Sequence, residues 1–236
     1  MWGYNAAMPH NLKSFCLVTV FSLIPEEAEA IAESVRAFGA DCRVACTAAQ
    51  LREVLIENGC NGLLYSIPST IRIDAAGKAL LRTLEQVYPV ARAKWKDSDR
   101  SLSVMGTHGP VVRTLPDFLA ACAAFPARRI RRYERSDKTL NVLLFSDTGM
   151  EDAEQTFSLN LSIGGARLHS SLEWHVGDTL YLSFLELPWQ DPVRAEVRHV
   201  IPWGVPYHAR SIGVQFDGMT PEHADNLSFL LFGKKA

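Results

Sequence analysis

Residues 15–21 read Phe-Cys-Leu-Val-Thr-Val-Phe, an almost continuous apolar run near the start of the chain. A strand that is covered on both faces has this pattern, whereas a half-exposed strand alternates apolar and polar residues. Pro25 then opens a helical pattern with Glu26 and Glu27 in its first turn, where acidic side chains suit the helix dipole. A fully covered strand followed by a helix predicts the beginning of an α/β domain.

The same alternation of strands and helices continues to about residue 125. We therefore predict an α/β domain over residues 1–125, built on a mostly parallel sheet. The predicted strands are 15–21, 42–46, 62–67, 90–95 and 102–105, and the predicted helices are 25–38, 48–58, 75–87 and 115–125.

The order of these elements resembles the receiver domain of response regulators, so a receiver-like sheet is expected. A phosphoacceptor receiver needs acidic residues at the end of its first strand and an Asp at the end of its third strand. Here those strands end in Phe21-Ser22-Leu23 and Tyr65-Ser66-Ile67, which contain no carboxylate. The gap at 96–101 also leaves no room for a helix between the last two strands. We therefore expect the receiver-like architecture without phosphoacceptor chemistry.

The second half, from residue 126 to residue 236, has a different pattern. Short runs separated by turn residues predict six strands, and residues 179–184 alternate as a half-buried strand does. A helix follows, with Thr220 as its cap. We predict an all-β barrel with a terminal helix over residues 126–236. The strands are predicted at 140–145, 156–161, 166–169, 179–185, 193–201 and 211–216, and the helix at 221–232.

The overall composition excludes several classes of protein. The chain has 236 residues, of which 47% are hydrophobic, and 24 Lys+Arg against 26 Asp+Glu give a net charge of −2. This balance argues against a basic nucleic-acid coat and a charge-rich disordered chain. Residues 1–12 lack the pattern of a signal peptide, and no apolar run reaches the ~18–20 residues of a membrane span. Five cysteines without a C-x-x-C pair predict buried thiols and a cytoplasmic protein.

Two local motifs stand out from this average. Residues 128–138 read Arg-Arg-Ile-Arg-Arg-Tyr-Glu-Arg-Ser-Asp-Lys, with six basic and two acidic side chains. Residues 160–165 read Asn-Leu-Ser-Ile-Gly-Gly. Because side chains alternate along a strand, Asn160 and Ser162 should project from the same face, and the glycines allow a ligand to approach the backbone.

The two motifs together resemble the PilZ domain, a family that binds the bacterial second messenger cyclic di-GMP. Its signature is R-x-x-x-R, followed roughly 20–30 residues later by [D/N]-x-S-x-x-G. Arg131 to Arg135 matches the first part, and Asn160 to Gly165 matches the second. The resemblance covers about residues 128–232 and implies the PilZ barrel as the C-terminal fold.

The first motif can be read in two registers, since Arg128 and Arg132 also satisfy R-x-x-x-R. Family members commonly place an aromatic residue two positions before the second Arg. Tyr133 fits that offset with Arg135, so the resemblance favours the pair Arg131 and Arg135.

The resemblance implies a non-catalytic receptor whose ligand is cyclic di-GMP, without a cofactor or a metal. The implied ligand residues are Arg131, Arg135, Asn160, Ser162 and Gly165, where a side chain is expected to collide with the ligand. Arg128, Arg132 and Arg198 are candidate auxiliary contacts.

Ligand binding is expected to order the arginine-rich segment and so to change the domain arrangement or the binding of a downstream protein partner. A homodimer is compatible with the sequence, whereas neither a nucleic acid nor a membrane is expected as a partner. Two alternatives stay open: a PilZ-fold interaction module that does not bind nucleotide, and nucleic-acid binding through residues 128–138.

Overall fold

The computed structural model describes residues 16–107, 112–147, 152–188 and 191–233. Residues 1–12, which lack the pattern of a signal peptide, and Phe15, the first residue of the predicted first strand, lie outside these ranges. The chain divides into two compact units, the first ending at Ile130 and the second beginning at Arg131. The domain division after residue 125 stays a prediction. Residues 126–130 contact the first unit, where the backbones of Cys60 and Arg128 pair and the Ile130 N–H donates to the Leu55 carbonyl.

The first unit is an α/β domain, as predicted. Its five strands lie in the order β2-β1-β3-β4-β5, and all neighbours are parallel except β4 and β5. The antiparallel edge follows from the short connection at 97–100, because a parallel neighbour needs a crossover helix. The elements are β1 Leu17–Phe21, α1 Pro25–Ala37, β2 Asp41–Ala45, α2 Ala48–Glu57, β3 Gly62–Ser66, α3 Ile67–Arg72, α4 Ala75–Glu85, β4 Val90–Lys96, β5 Ser101–Gly106 and α5 Leu115–Ala123.

One helix of this unit was not predicted. Ile67 begins α3 rather than ending the third strand, and Pro68 stands in the first turn of that helix. A proline is compatible with the first turn because the N–H that it lacks has no partner there. Asp74 then caps α4 by accepting a hydrogen bond from the Gly77 N–H at 2.7 Å.

Both faces of the sheet are buried, as the apolar run of β1 predicts. Val18 and Val20 pack in a core cluster with residues of α1 and α5. Phe21 packs on the opposite side in a cluster with Leu51 of α2 and Leu81 of α4. All three β1 side chains are fully buried. The sheet is therefore the middle of three layers.

Hydroxyl groups occupy the strand ends where a phosphoacceptor receiver carries carboxylates. Ser22 follows β1, and Ser66 ends β3. Both hydroxyls donate to Oε2 of Glu27 at 2.6 Å. The Ser69 hydroxyl of α3 lies 3.2 Å from that of Ser22 and accepts from the Leu23 N–H. This edge of the sheet is thus held by buried and partly buried hydrogen bonds that join β3, α1, α3 and the end of β1.

The second unit contains a closed antiparallel barrel with a terminal helix, which confirms the predicted fold class. The strands follow the order β10-β11-β8-β7-β6-β9, and β9 closes the barrel on β10. The elements are β6 Asn141–Phe145, β7 Glu154–Ser162, β8 Gly165–His169, β9 Thr179–Phe184, β10 Val193–Ile201, β11 Ser211–Asp217 and α6 Pro221–Phe232.

Alternating side chains fill the barrel. Leu180, Leu182 and Phe184 of β9 point into one apolar core, as their spacing predicts. Leu227 of α6 belongs to the same core and is fully buried, so the helix packs on the barrel. Thr220 caps this helix as expected, accepting a hydrogen bond from the His223 N–H at 3.1 Å. Among the described helices, none has the length and apolar character needed to cross a membrane.

Candidate functional site

The second unit carries a concave site of about 720 Å³ on the outer surface of its barrel. Residues of β7, β8, β10 and β11 form its floor. One wall is formed by Arg131, Arg132, Tyr133 and Arg135, which belong to residues 131–136, here called the arginine segment. The basic side chains that line the site are Arg131, Arg132, Arg135, Arg167, Arg198 and His199.

The structure places most of the predicted site residues together. The five residues implied as ligand contacts, Arg131, Arg135, Asn160, Ser162 and Gly165, all line this site. Two of the candidate auxiliary residues, Arg132 and Arg198, line it as well.

The third auxiliary candidate, Arg128, is not among the lining residues. It belongs to the first unit, where its guanidinium carbon lies 4.9 Å from the centre of the Phe125 ring. Its carbonyl accepts a hydrogen bond from the Tyr88 hydroxyl at 3.0 Å.

A β-bulge in β7 determines which way Asn160 points. Ser158 pairs with Leu168, whereas Asn160 pairs with Arg167, so one residue of β7 is left unpaired. Before the bulge the buried side chains are at even positions, and after it Leu161 is the core residue. Since a bulge reverses the alternation, Asn160 and Ser162 face the site instead of the barrel core.

The turn between β7 and β8 fixes the edge of the site. The Ser162 hydroxyl donates to the Gly165 carbonyl at 3.1 Å. A Cβ added to Gly165 would collide with the carbonyl oxygen of Val214 and would lie 3.3 Å from the Gln215 Cα. The backbone of β11 therefore requires glycine at position 165 whether or not a ligand is bound. The sequence predicted a different steric reason, a collision between a side chain and the ligand.

The arginine segment gathers positive charge against the barrel. Partial burial of the Arg135 side chain lowers its pKa, and the positive charges of Arg131 and Arg167 lower it further. Within the part of the chain that the structure describes, neither Arg131 nor Arg135 forms an ion pair or a side-chain hydrogen bond. Both guanidinium groups thus retain their donors for a ligand.

Two further basic residues of the site, Arg167 and His199, were not predicted from the sequence. Arg167 follows Gly165 by two positions on β8 and therefore lies on the same face of the strand. The alternation of side chains along a strand could have identified it from the sequence. Its Nε donates to the Ser211 hydroxyl at 2.9 Å. His199 lines the site because of a second β-bulge, between Val197 and His199 of β10. No sequence pattern marks that bulge.

The second bulge also places Arg198 at the site. Its Nη1 lies 2.8 Å from Oε1 of Glu196, and its Nε donates to Oε1 of Gln215 at 3.1 Å. Arg198 is therefore already paired with a carboxylate, in contrast to Arg131 and Arg135. We rank it below those two residues as a source of attraction for an anion.

This arrangement can bind an anion that also carries planar groups. Guanidinium groups offer paired donors to phosphate oxygens, and they can stack on aromatic bases or bind the guanine O6/N7 edge. Asn160 adds both a donor and an acceptor, and the site is open enough for a ligand larger than a single phosphate.

Comparison with known proteins agrees with this geometry. Residues 129–233 match the family model described as the PilZ domain. This part of the chain is a PilZ domain. Both motifs that line the site fall within the match, and the α/β unit precedes nearly all of it. No relative of the chain is found among curated proteins by sequence.

Several solved structures are similar to part of this chain. The inhibitor of motility MotI/DgrA from Bacillus subtilis is 19% identical with a TM-score of 0.37, and the alignment covers 59% of this chain and 62% of that one. The PilZ domain of YcgR from Escherichia coli, determined with c-di-GMP, is 14% identical with a TM-score of 0.36, covering 45% and 92%. The MrkH–c-di-GMP complex of K. pneumonia is 14% identical with a TM-score of 0.32, covering 44% and 52%. The chain thus spans less than two thirds of MotI/DgrA and of MrkH.

A metal centre is not evident in the described ranges, because no three His, Cys, Asp or Glu side chains group there as metal ligands would. The five cysteines are all unpaired thiols, of which Cys16, Cys60 and Cys122 are buried. Burial raises the pKa of the Cys42 thiol to about 12, so this thiol stays protonated at neutral pH.

Proposed function

We propose that the PilZ domain of this protein is a non-catalytic receptor for cyclic di-GMP. The observation that carries the proposal is the convergence of Arg131 and Arg135 with Asn160 and Ser162 in one open site. Neither arginine has an acidic partner among the residues that the structure describes. Like charges held together without a counter-ion raise the energy of the ligand-free protein, and an anionic ligand would relieve that repulsion.

Each motif has a distinct part in this proposal. Arg131 and Arg135 bind the phosphates and the guanine edges or faces of the ligand. Asn160 and the Ser162 hydroxyl hydrogen-bond a base edge or the ligand backbone. Gly165 keeps the turn close to β11, so that Ser162 is held at the rim. Arg132 and Arg198 are auxiliary contacts.

Ligand binding at these motifs is then coupled to a change in domain arrangement or in partner binding, as in a signalling receptor in the cytoplasm. The arginine segment begins where the second unit begins, so a change in its conformation would act at the start of that unit. We infer a downstream protein partner and no chemical step.

Isothermal titration calorimetry tests the proposal with the full chain. We expect saturable binding of cyclic di-GMP at micromolar or lower concentration. Cyclic di-AMP has the same phosphate ring but lacks the guanine O6 acceptor, and it should bind at least about 10-fold more weakly. An absence of heat and of any change in melting temperature at tens of micromolar cyclic di-GMP would overturn the proposal and favour an interaction module that binds no nucleotide.

Arg167 should contribute to affinity although it lies outside both motifs. It pairs with Asn160 across β7 and β8, and its charge acts on Arg135. Arg167→Ala should weaken cyclic di-GMP binding about 10-fold, since one charge-assisted contact contributes about 1.5 kcal/mol. Calorimetric titration of the variant measures this.

Arg194→Ala is the matched control, because it also removes one arginine from a barrel strand. Arg194 lies on β10 and does not line the site. Arg194 pairs with Asp217 at 3.0 Å, and both side chains are exposed. Equal affinities for the Arg167→Ala and Arg194→Ala proteins would show that Arg167 does not contact the ligand.

A further inference from the structure

The arginine segment contacts the barrel at two points. Ser136 pairs with Leu161 of β7 through two backbone hydrogen bonds, of 2.8 Å and 2.9 Å. The second contact is made by Tyr133, whose ring lies against Gly164 in the turn between β7 and β8. Arg135 stands between these two contacts, so its position depends on both.

The contact between Tyr133 and Gly164 requires a glycine for a steric reason. A Cβ on Gly164 would lie 2.5 Å from Cδ2 and 2.7 Å from Cε2 of the Tyr133 ring. Real Cβ atoms do not approach other atoms so closely, so the ring occupies the space that a side chain would fill. Tyr133 is 42% exposed, and the ring could therefore swing into solvent if it were displaced.

Resting on the proposed function, we propose that Tyr133 is a positioning residue: its ring, seated on Gly164, holds the arginine segment in the conformation that receives the ligand. The contact between Tyr133 and Gly164 holds the backbone just before Arg135 against the turn that follows Ser162. A segment that is already held in its binding conformation loses less conformational entropy on binding. The apparent affinity equals the intrinsic affinity multiplied by the fraction of molecules in the binding-competent conformation, so it rises as that fraction rises.

The contact between Tyr133 and Gly164 joins the two sequence motifs of the site. Gly164 lies inside the second motif, between Ser162 and Gly165, whereas Tyr133 lies inside the first, between Arg131 and Arg135. Removing either partner should release the arginine segment while leaving the barrel core intact, since neither residue belongs to that core.

Two measurements on the full chain test this proposal. The first is the calorimetric affinity for cyclic di-GMP, and the second is hydrogen–deuterium exchange of residues 131–136 without ligand, where the Ser136 N–H donates to the Leu161 carbonyl. Gly164→Ala and Tyr133→Ala should each weaken binding about 10-fold and accelerate exchange in this segment. Tyr133→Phe retains the ring and should restore both values. The double variant should be no worse than either single variant, because both remove one contact.

Three results would overturn the proposal. The first is unchanged exchange in both single variants, which would show that the seat does not hold the segment. The second is weaker binding in Tyr133→Ala alone, which would make Tyr133 a direct ligand contact. The third is full additivity in the double variant. If the unaltered protein binds no cyclic di-GMP, the proposed function fails, and the exchange measurement still decides whether Tyr133 orders the segment.

Discussion

Replacement of Arg135 by alanine should weaken cyclic di-GMP binding by at least about 100-fold while leaving the fold intact. Two charge-assisted hydrogen bonds of about 1.5 kcal/mol each account for this loss. The fold should be unaffected, because Arg135 forms no ion pair or side-chain hydrogen bond with the described residues. Its lowered pKa means that folding disfavours its charged form, so Arg135→Ala should melt at the same temperature or slightly higher. Calorimetric titration and thermal unfolding measure the two effects.

Arg128→Ala is the control, and it also decides the register of the first motif. The Arg128 guanidinium lies over Phe125 in the first unit, so its removal should leave the affinity unchanged. Arg131→Ala should match the loss seen with Arg135→Ala. If Arg128→Ala and Arg132→Ala abolish binding while Arg135→Ala does not, then the other register is the functional one.

The second large effect concerns stability rather than affinity. Gly165→Ala should destabilise the PilZ domain by about 3 kcal/mol, because the added carbon collides with backbone that cannot move without opening the pairing of β8 and β11. Urea unfolding monitored by tryptophan fluorescence measures the change, since Trp174 packs against the barrel core.

Gly213→Ala provides the comparison from the same site. A Cβ at Gly213 would lie 3.4 Å from the Cβ of His199, which is an ordinary contact, so the unfolding midpoint should shift little. If Gly165→Ala is as stable as Gly213→Ala but no longer binds ligand, the role of Gly165 is to make room for the ligand, as the resemblance to the PilZ family implies.

The folds of both units could be predicted from sequence because they depend on local periodicity. The apolar run of β1 predicts a strand buried on both faces, and the alternation in β9 predicts a barrel wall. The ends of α1 and α6 agree with the predicted ends to within one residue, because the break at Gly39 and the cap at Thr220 are local signals as well. Helix α3 was missed because it begins directly after β3, where the apolar residue Ile67 continues the strand pattern.

The site was only partly predictable, because its geometry depends on strand irregularities and on a contact that the periodicity of the sequence does not mark. The motifs identify Arg131, Arg135, Asn160 and Ser162 by their spacing. The bulges of β7 and β10 turn Asn160, Arg198 and His199 towards the site. They form against the next strands along the chain, β8 and β11, and the alternation of the sequence marks neither bulge. The contact between Tyr133 and Gly164 joins residues 31 positions apart, so no local sequence pattern predicts it.

A crystal structure of the full chain with cyclic di-GMP tests the central claim most directly. The claim predicts phosphate or guanine groups within hydrogen-bonding distance of the Arg131 and Arg135 guanidinium groups, with Asn160 and Ser162 contacting the same ligand. A ligand that is bound elsewhere, or that contacts neither arginine, would contradict it.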